Sequence, residues 1–179
     1  MVIGIDPGLN GGIACLSGDY RSPVIEWAVR MPVKNSGRKA VYDVEEIVSL
    51  LRPCTPCHLA VVIEQQHTFP GQGVASQGKQ MYGFGLIHGI VMTMCLSEPN
   101  MSCSVISARR WQKVLDDKDD DGEPVKDRVV RTAMRIFGDL DGFRMKRSRK
   151  LHQGIADSLM IALYGLKSNL DLSGSVCRQ

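Results

Sequence analysis

Two short apolar runs in this chain each end on a single carboxylate, and this pattern constrains the fold more than any other feature of the sequence. The first run is Val2-Ile-Gly-Ile-Asp6, and the second is Leu59-Ala-Val-Val-Ile-Glu64. Runs of four or five residues rich in Val and Ile are typical of buried, parallel strands. A third acid, Asp157, lies inside an apolar, helix-like segment at 154–163. The sequence therefore predicts an α/β core that contains three acidic side chains.

These three acids predict a site for a divalent cation. An ionised carboxylate in apolar surroundings is costly unless a cation or hydrogen bonds compensate its charge. No single Lys or Arg stands beside all three acids in the sequence, so a cation from solution is the economical partner. Three acids that converge on folding form an oxygen-ligand site suited to Mg²⁺ or Mn²⁺. A structural turn is the alternative role for Asp6, and the presence of Glu64 and Asp157 weakens that alternative.

The remaining elements follow from apolar patterning and turn residues. A hairpin partner strand is expected at 13–16 and a third strand at 24–29, whereas 32–40 is expected to be loop. Asp43 resembles a helix cap for a segment that ends near Leu51. The later predicted elements are, in chain order, a strand at 59–63, a helix at 80–95, a strand at 102–106 and helices at 107–115, 124–138 and 153–167.

This order of elements predicts an α/β domain with a mixed five-stranded sheet and helices on both faces. The domain is expected to span 1–167, followed by a disordered tail at 168–179. At 179 residues with 44% apolar content, the chain is long enough for one sizeable core. No run of eighteen apolar residues occurs, so a membrane span is not expected.

The cysteines and the N-terminus bear on location only weakly. Six Cys residues show no framework spacing, and two of them lie in apolar runs, which indicates reduced thiols in a reducing compartment. Met1 leads directly into a strand, which leaves no room for a signal peptide in this chain. The compartment stays open between the cytoplasm or nucleoid and an organelle matrix from which a transit peptide has been removed.

Basic residues are segregated along the chain, although the formal net charge is only +3. The segment 144–150 carries five basic residues in seven, among them Lys146 and Arg147. Three arginines share one stripe of the helix predicted at 124–138, namely Arg128, Arg131 and Arg135. Segregated charge of this kind suits a polyanionic partner such as nucleic acid. A solvated helix face beside a basic loop is the structural alternative.

A nucleotide-binding P-loop is excluded by the residue at its metal-binding position. The stretch Gly73-Val-Ala-Ser-Gln-Gly78-Lys79-Gln80 has the glycines and the lysine of such a loop. The position that should hold Ser or Thr is Gln80, and the loop begins nine residues beyond the preceding strand rather than directly after it. We therefore expect no nucleotide cofactor.

Together, several motifs resemble the RuvC family of Holliday junction resolvases, in particular the phage-type and plastid members, on the RNase H-like fold. The motifs occur in the family's order across most of 1–167. They are Ile3-Gly-Ile-Asp-Pro-Gly8, Ile63-Glu64, Phe69-Pro-Gly-Gln-Gly-Val74, Phe84-Gly85, Trp111-Gln-Lys113 and His152-Gln-Gly-Ile-Ala-Asp-Ser158.

The resemblance implies a structure-selective DNA endonuclease that resolves four-way junctions by paired symmetric nicks and leaves 5′-phosphate ends. It implies two Mg²⁺ ions per site, replaceable by Mn²⁺, with Asp6, Glu64 and Asp157 as ligands. The family's fourth ligand falls three or four residues before the last acid, where this chain has Gly154 and Gln153. His152 is one step further away and is the candidate to orient water.

The resemblance also implies a homodimer, since two symmetric nicks need two active sites, with the helix at 80–95 as a candidate interface. Branched DNA is the expected partner. The implied DNA contacts are Phe69, Gln72, Lys79 and Gln80 in the family's junction-contacting segment, with Lys113, the three arginines and the basic cluster at 144–150 on backbone phosphates. Two alternatives stay open, a junction-binding protein with weakened catalysis and an RNase H-like nuclease that acts on RNA–DNA hybrids.

Overall fold

The computed structural model describes residues 1–37, 39–52, 58–68, 71, 73–115, 124–138, 140 and 151–168. Within these residues, seven strands and five α-helices follow one another along the chain. In order they are β1 (Val2–Asp6), β2 (Gly12–Asp19), β3 (Ser22–Arg30), β4 (Val33–Ser36), β5 (Lys39–Tyr42), α1 (Val44–Leu51), β6 (Leu59–Gln65), α2 (Val74–Ser97), β7 (Met101–Ser107), α3 (Ala108–Trp111), a 3₁₀ turn (Gln112–Val114), α4 (Val125–Phe137) and α5 (Gln153–Lys167).

The central sheet has five strands in the order β3-β2-β1-β6-β7. The strand β1 is antiparallel to β2 and parallel to β6, and β6 is parallel to β7. A mixed five-stranded sheet was the sequence expectation, and it is confirmed. The mixture arises because β1 and β2 are joined by a short turn, whereas β6 and β7 are reached through helical crossovers.

Helices cover both faces of this sheet, as expected. Side chains along a strand alternate between faces, so Ile3 and Ile5 of β1 pack into the core beneath α1 and α2. Val2 of the same strand packs into the opposite core, which includes α4 and α5. The same alternation divides β6, where Val61 belongs to the first core and Val62 to the second.

Two of the predictions about secondary structure are wrong. The stretch expected to be loop at 32–40 contains the antiparallel hairpin of β4 and β5, whose turn includes Gly37 at a φ of 65°. Its strands are short and almost entirely exposed, so they lack the alternating apolar pattern that reveals a strand. The second helix begins at Val74 rather than near residue 80, although its first turns are rich in Gly and Gln.

The other predicted elements agree with the structure to within a few residues. Asp43 caps α1 by accepting a hydrogen bond from the backbone N–H of Glu46. Gly138, with a φ of 71°, ends α4. None of the helices in the described part of the chain is long and apolar enough to cross a membrane. Cys15, Cys95 and Cys103 are present as thiols. The tail predicted at 168–179 lies outside the described residues, apart from Ser168.

Candidate active site

Parallel pairing places Asp6 and Glu64 side by side at the carboxyl ends of β1 and β6. The register pairs Ile5 with Ile63, so the next pair along both strands is Asp6 with Glu64. Because Ile5 and Ile63 face the core beneath α1 and α2, strand alternation turns both acids toward the face covered by α5. Both residues are only partly exposed.

Glycine contacts bring Asp157 of α5 against the same strand ends. A Cβ atom at Gly4 of β1 would overlap the backbone of Ser158 and Ala162, so α5 crosses β1 in direct backbone contact. A Cβ atom at Gly154 would likewise overlap the backbone of Asn10 and Gly11. The first turn of α5 therefore lies against the loop after β1, and Asp157 follows one turn later.

The pKa values of all three carboxyls are raised, chiefly by burial. Burial raises the pKa of Asp6, and burial together with the charges of Asp6 and Asp157 raises the pKa of Glu64 to about 8. Burial and the charge of Asp6 raise the pKa of Asp157 to about 7. The three carboxyls are therefore close enough for each ionisation to oppose the next. The sequence expectation that folding brings these acids together agrees with this coupling.

Hydrogen bonds and one lysine partly compensate the negative charge. The backbone N–H of Gly8 donates to Asp6 Oδ1 at 3.2 Å, and Gln153 Nε2 donates to Asp157 Oδ1 at 2.9 Å. The positive charge of Lys126, in the first turn of α4, lowers the pKa of both aspartates. Sequence reasoning missed Lys126 because α4 is far from β1 along the chain. The Gln153–Asp157 contact could have been predicted from the sequence, since residues four apart are neighbours on a helix.

The buried indole of Trp111 lies near Glu64. Trp111 is 2% exposed, and its Nε1 atom has no partner of ordinary hydrogen-bond geometry among the described residues. The same N–H nevertheless lies near enough to the Glu64 carboxylate to lower its pKa. We therefore take Trp111 as a donor directed at Glu64 from the end of α3.

A cavity of about 440 Å³ opens over Asp6 and Asp157. Lys79 and Gln80, two of the predicted DNA contacts, line this cavity. The Gln80 side chain also donates to Gln66 Oε1 at 2.6 Å, which joins the start of α2 to the end of β6. The cavity's other lining residues are Gly8, Leu9, Asn10, Gly11, Tyr42, Gln66, Ser76, Lys126, Gln153 and Gly154.

The other predicted DNA contacts lie elsewhere. Lys113 is exposed on the 3₁₀ turn, and α4 carries the arginine stripe with Arg131 and Arg135 exposed and Arg128 half-buried. On the same helix, Val129 and Ala133 are buried, while Val125 is 43% exposed. Four of the predicted contacts lie outside the described residues, namely Phe69, Gln72, Lys146 and Arg147.

His152 does not line the cavity, whereas the adjacent Gln153 does. The helix α5 begins directly after His152, which is the condition under which this residue could have joined the acids. Burial and the charge of Arg30 lower the pKa of His152, and its Nδ1 atom has no hydrogen-bond partner among the described residues. The predicted role of His152 in catalysis stays a prediction.

The donor set fits a divalent cation in charge and in ligand type. Asp6, Glu64 and Asp157 supply carboxylate oxygens, which Mg²⁺ and Mn²⁺ prefer, and their raised pKa values reflect negative charge that the protein compensates only in part. Among the described residues, however, no three His, Cys, Asp or Glu side chains are grouped closely enough to hold a metal ion. Metal ligation by these residues stays a prediction.

Two solved structures of Thermus thermophilus RuvC resemble this fold. One, of RuvC in complex with a Holliday junction substrate, matches with a TM-score of 0.60. The other, of RuvC described without a substrate, matches with a TM-score of 0.55. Each match covers 97% of this chain and 98% of the other at 18% sequence identity. No protein-family model and no curated protein matches the chain. The chain therefore has a RuvC-like fold, which confirms the RNase H-like α/β architecture expected from the sequence.

Proposed function

We propose that this protein is a metal-dependent, structure-selective endonuclease that resolves four-way DNA junctions. One observation carries the proposal, namely the convergence of Asp6, Glu64 and Asp157 at the carboxyl ends of two parallel strands within a RuvC-like fold. The charge of Asp6 raises the pKa values of Glu64 and Asp157, so ionising all three partly buried acids destabilises the fold unless a cation binds them. Carboxyl groups with strongly raised pKa values at the edge of a cavity are typical of a functional site.

The likeness to RuvC supports DNA junctions as the substrate class. The RuvC structure with the higher TM-score holds a Holliday junction substrate. In the present chain, the cavity over the acids also contains Lys79 and Lys126, so it offers positive charge to a phosphate beside the carboxylates. A site of mixed charge suits a phosphodiester whose negative oxygens are held while its phosphorus is attacked.

Asp6, Glu64 and Asp157 are the residues that would hold the cation. A divalent cation there supplies Lewis-acid stabilisation for the phosphoryl oxygens and for the attacking water. The protein's own groups orient the carboxylates, since Gly8 N–H fixes Asp6, Gln153 fixes Asp157 and the Trp111 indole is directed at Glu64. Lys126 binds the scissile phosphate from the side of α4.

A junction needs contacts beyond the scissile phosphate, and basic residues on two helices supply them. Lys79 and Gln80 on α2 and the arginine stripe on α4 bind the backbone on either side of the cavity, which makes binding strongly dependent on salt. Two symmetric nicks require two sites, so the active form is a homodimer. The part of α2 that follows Tyr82, up to residue 95, is the proposed interface.

Replacing Asp6 tests the proposal directly. In Mg²⁺, the Asp6→Asn variant should cleave a labelled four-way junction at least about a thousandfold more slowly, because several kcal/mol of transition-state stabilisation are lost. Binding in a gel-shift assay should persist, since Asp6 does not hold the DNA backbone. Glu45→Gln on α1, which alters an exposed carboxylate, is the matched control and should cleave at the normal rate. Undiminished cleavage by Asp6→Asn would reject the assignment.

The residues before Asp157 favour a second candidate, a junction-binding protein with weakened catalysis. Gln153 and Gly154 occupy the positions of the fourth acidic or His ligand expected from the family resemblance, and Gln153 is hydrogen-bonded to Asp157. Replacing Gln153 with Asp or His should then raise a low rate of cleavage. Tight junction binding by the unmodified chain without nicking, in Mg²⁺ and in Mn²⁺, would favour this candidate over the endonuclease.

A further inference from the structure

A second cavity of about 480 Å³ adjoins the candidate active site. It lies between the β4–β5 hairpin and the first turns of α2, and most of its wall is apolar. Its lining residues are Leu9, Lys39, Ala40, Val41, Tyr42, Lys79 and Tyr82. Leu9, Tyr42 and Lys79 also line the cavity over Asp6 and Asp157, so the two cavities are neighbours.

The floor of this second cavity is rigid. Tyr42 is buried, and its hydroxyl donates a 2.9 Å hydrogen bond to the carbonyl of Pro7, the residue after Asp6. Gly83 of α2 permits this arrangement, because a Cβ atom there would overlap the Tyr42 hydroxyl. The hairpin is thereby attached both to the turn that follows β1 and to α2.

One wall is an exposed aromatic ring. Tyr82 is 65% exposed, and its ring centroid lies 6.3 Å from that of Tyr42 with the two planes inclined at 50°. Because most of Tyr82 is exposed, its ring has surface available to a ligand in the cavity. An exposed tyrosine beside an apolar floor is a suitable platform for a flat, aromatic ligand.

Positive charge completes the cavity, since Lys39 from the hairpin and Lys79 from α2 both line it and both are exposed. An aromatic platform combined with basic residues is the chemistry that binds nucleic acid with bases unstacked from a duplex. A flat apolar ligand without negative charge would offer neither lysine an oppositely charged group. The volume lies within the range of about 300–1,000 Å³ typical of small-ligand sites, which accommodates one nucleotide.

We infer that this cavity binds one unstacked nucleotide of the DNA strand that passes through the active site. The base stacks on Tyr82 over the Tyr42 floor, while Lys39 and Lys79 bind the phosphates on its two sides. The inference rests on the proposed function, and it adds a base-binding subsite next to the scissile phosphate. Such a subsite favours junctions over intact duplex, because a base at a branch point leaves its stack at lower cost.

Replacement of the stacking ring is the first test. Junction binding is measured in EDTA with the full chain, so that no cleavage occurs. Tyr82→Ala should weaken binding about tenfold, since one base–aromatic stack is lost, whereas Tyr82→Phe should retain it within about twofold. Because Tyr82 is a surface residue, the melting temperature of each variant should stay within about 2 °C of the unmodified protein.

Abasic substrates identify the nucleotide. A set of junctions, each with one base removed at a position flanking the cut, is titrated against the unmodified protein and against Tyr82→Ala. Removal at one position should weaken binding to the unmodified protein about tenfold and should leave binding to Tyr82→Ala unchanged. A flat profile, or full affinity in Tyr82→Ala, overturns the inference even where the unmodified protein cuts junctions.

Two further outcomes separate this inference from its rivals. An abasic effect in a protein that never nicks DNA would reject the endonuclease and keep the nucleotide site. A Tyr82→Ala variant that loses dimer mass in light scattering and shows no position-dependent abasic effect would assign the cavity to a second copy of the chain. That result overturns the inference, as does an absence of DNA binding by the unmodified protein.

The hairpin lysines give a matched second test. Lys39 lines the cavity, whereas Lys34 on the neighbouring strand lies 3.7 Å from the Asp43 carboxylate. Lys39→Ala should reduce the slope of log binding constant against log salt by about one, as expected for the loss of one phosphate contact. Lys34→Ala, with the same change in charge on the same hairpin, should leave that slope unchanged. Equal slopes for the two variants would remove Lys39 from the site.

Discussion

The two faces of the central sheet are packed in opposite ways. On one face, ten of the fifteen residues of α5 are buried, and glycines let its backbone contact that of β1. On the other face, α2 is 24 residues long but buries only Gly83, Ile87 and Val91. Both helices are apolar and carry several glycines, so composition alone does not distinguish them.

The contrast shows how one sheet serves two purposes. Close packing of α5 fixes Asp157 against the ends of β1 and β6, at the cost of holding like charges together in partial burial. Loose packing of α2 leaves a long surface for ligands, with Lys79, Gln80 and Tyr82 at its N-terminal end. In the proposed function, the α5 face holds Asp157 in place, and the α2 face adds contacts to DNA.

The largest loss of stability is expected from Gly154→Ala, which disrupts the closely packed face beneath α5. The added methyl group meets the backbone of Asn10 and Gly11 rather than a flexible side-chain end, so α5 must shift. We expect a loss of about 2–3 kcal/mol in the free energy of unfolding. Junction cleavage should fall at least about a hundredfold, because a displacement of about 1 Å at the reacting groups has that effect. Denaturant unfolding and single-turnover cleavage measure the two losses. Normal stability and cleavage would show that α5 has room to move.

A smaller change in stability is expected when the pH is varied, because Glu64 and Asp157 titrate. The pKa values of Glu64 and Asp157, about 8 and 7, lie above their ordinary values of 4.5 and 3.8, so the folded protein binds these protons more tightly than the unfolded chain. Their contribution favours folding below about pH 4 and is lost as the pH rises through 7 and 8. In EDTA, the melting temperature should therefore fall over this range, and added Mg²⁺ should raise it at pH 8.

Glu64→Gln should relieve this cost while abolishing cleavage. At pH 8 in EDTA we expect a gain of about 2 kcal/mol after discounting for partial exposure, or about 6 °C in melting temperature. The gain should shrink toward pH 5, where the carboxyl is already protonated. Glu45→Gln, which alters an exposed carboxylate on α1, is the matched control. A melting temperature of Glu64→Gln that parallels the unmodified protein at every pH would contradict the coupling.

Much of the close face could be predicted from the sequence, and the reason is local pattern. Apolar runs that end in Asp6 and Glu64 indicated two parallel strands, and parallel neighbours place their carboxyl ends together. The position of Asp157 depended on the contact between Gly154 and Gly11, which links residues far apart in the chain. Nothing in the local sequence at Gly154 marked that contact, although the apolar surroundings of Asp157 indicated burial.

The face covered by α2 was predicted less well, because its strands are exposed and its cavities form only in the tertiary structure. The β4–β5 hairpin carries little apolar alternation, so the second cavity and the role of Tyr42 in its floor had no sequence signal. Lys126, on α4, was also missed, because it approaches the acids only in the tertiary structure. Lys79 and Gln80 were found through the family resemblance, and the structure places both at the cavity over the acids.

The smallest effect, opposite in sign to that of Gly154→Ala, is expected from Gly78→Ala on the open face. A Cβ atom at Gly78 has no neighbour within 4 Å among the described residues, and the position lies inside the second turn of α2. Alanine should therefore stabilise the protein by about 0.5–1 kcal/mol, or about 2 °C in melting temperature, through helix propensity alone. Differential scanning calorimetry at low protein concentration measures the change. A lower melting temperature would mean that another surface packs against this turn in solution, and the two faces would then be alike in their tolerance of an added methyl group.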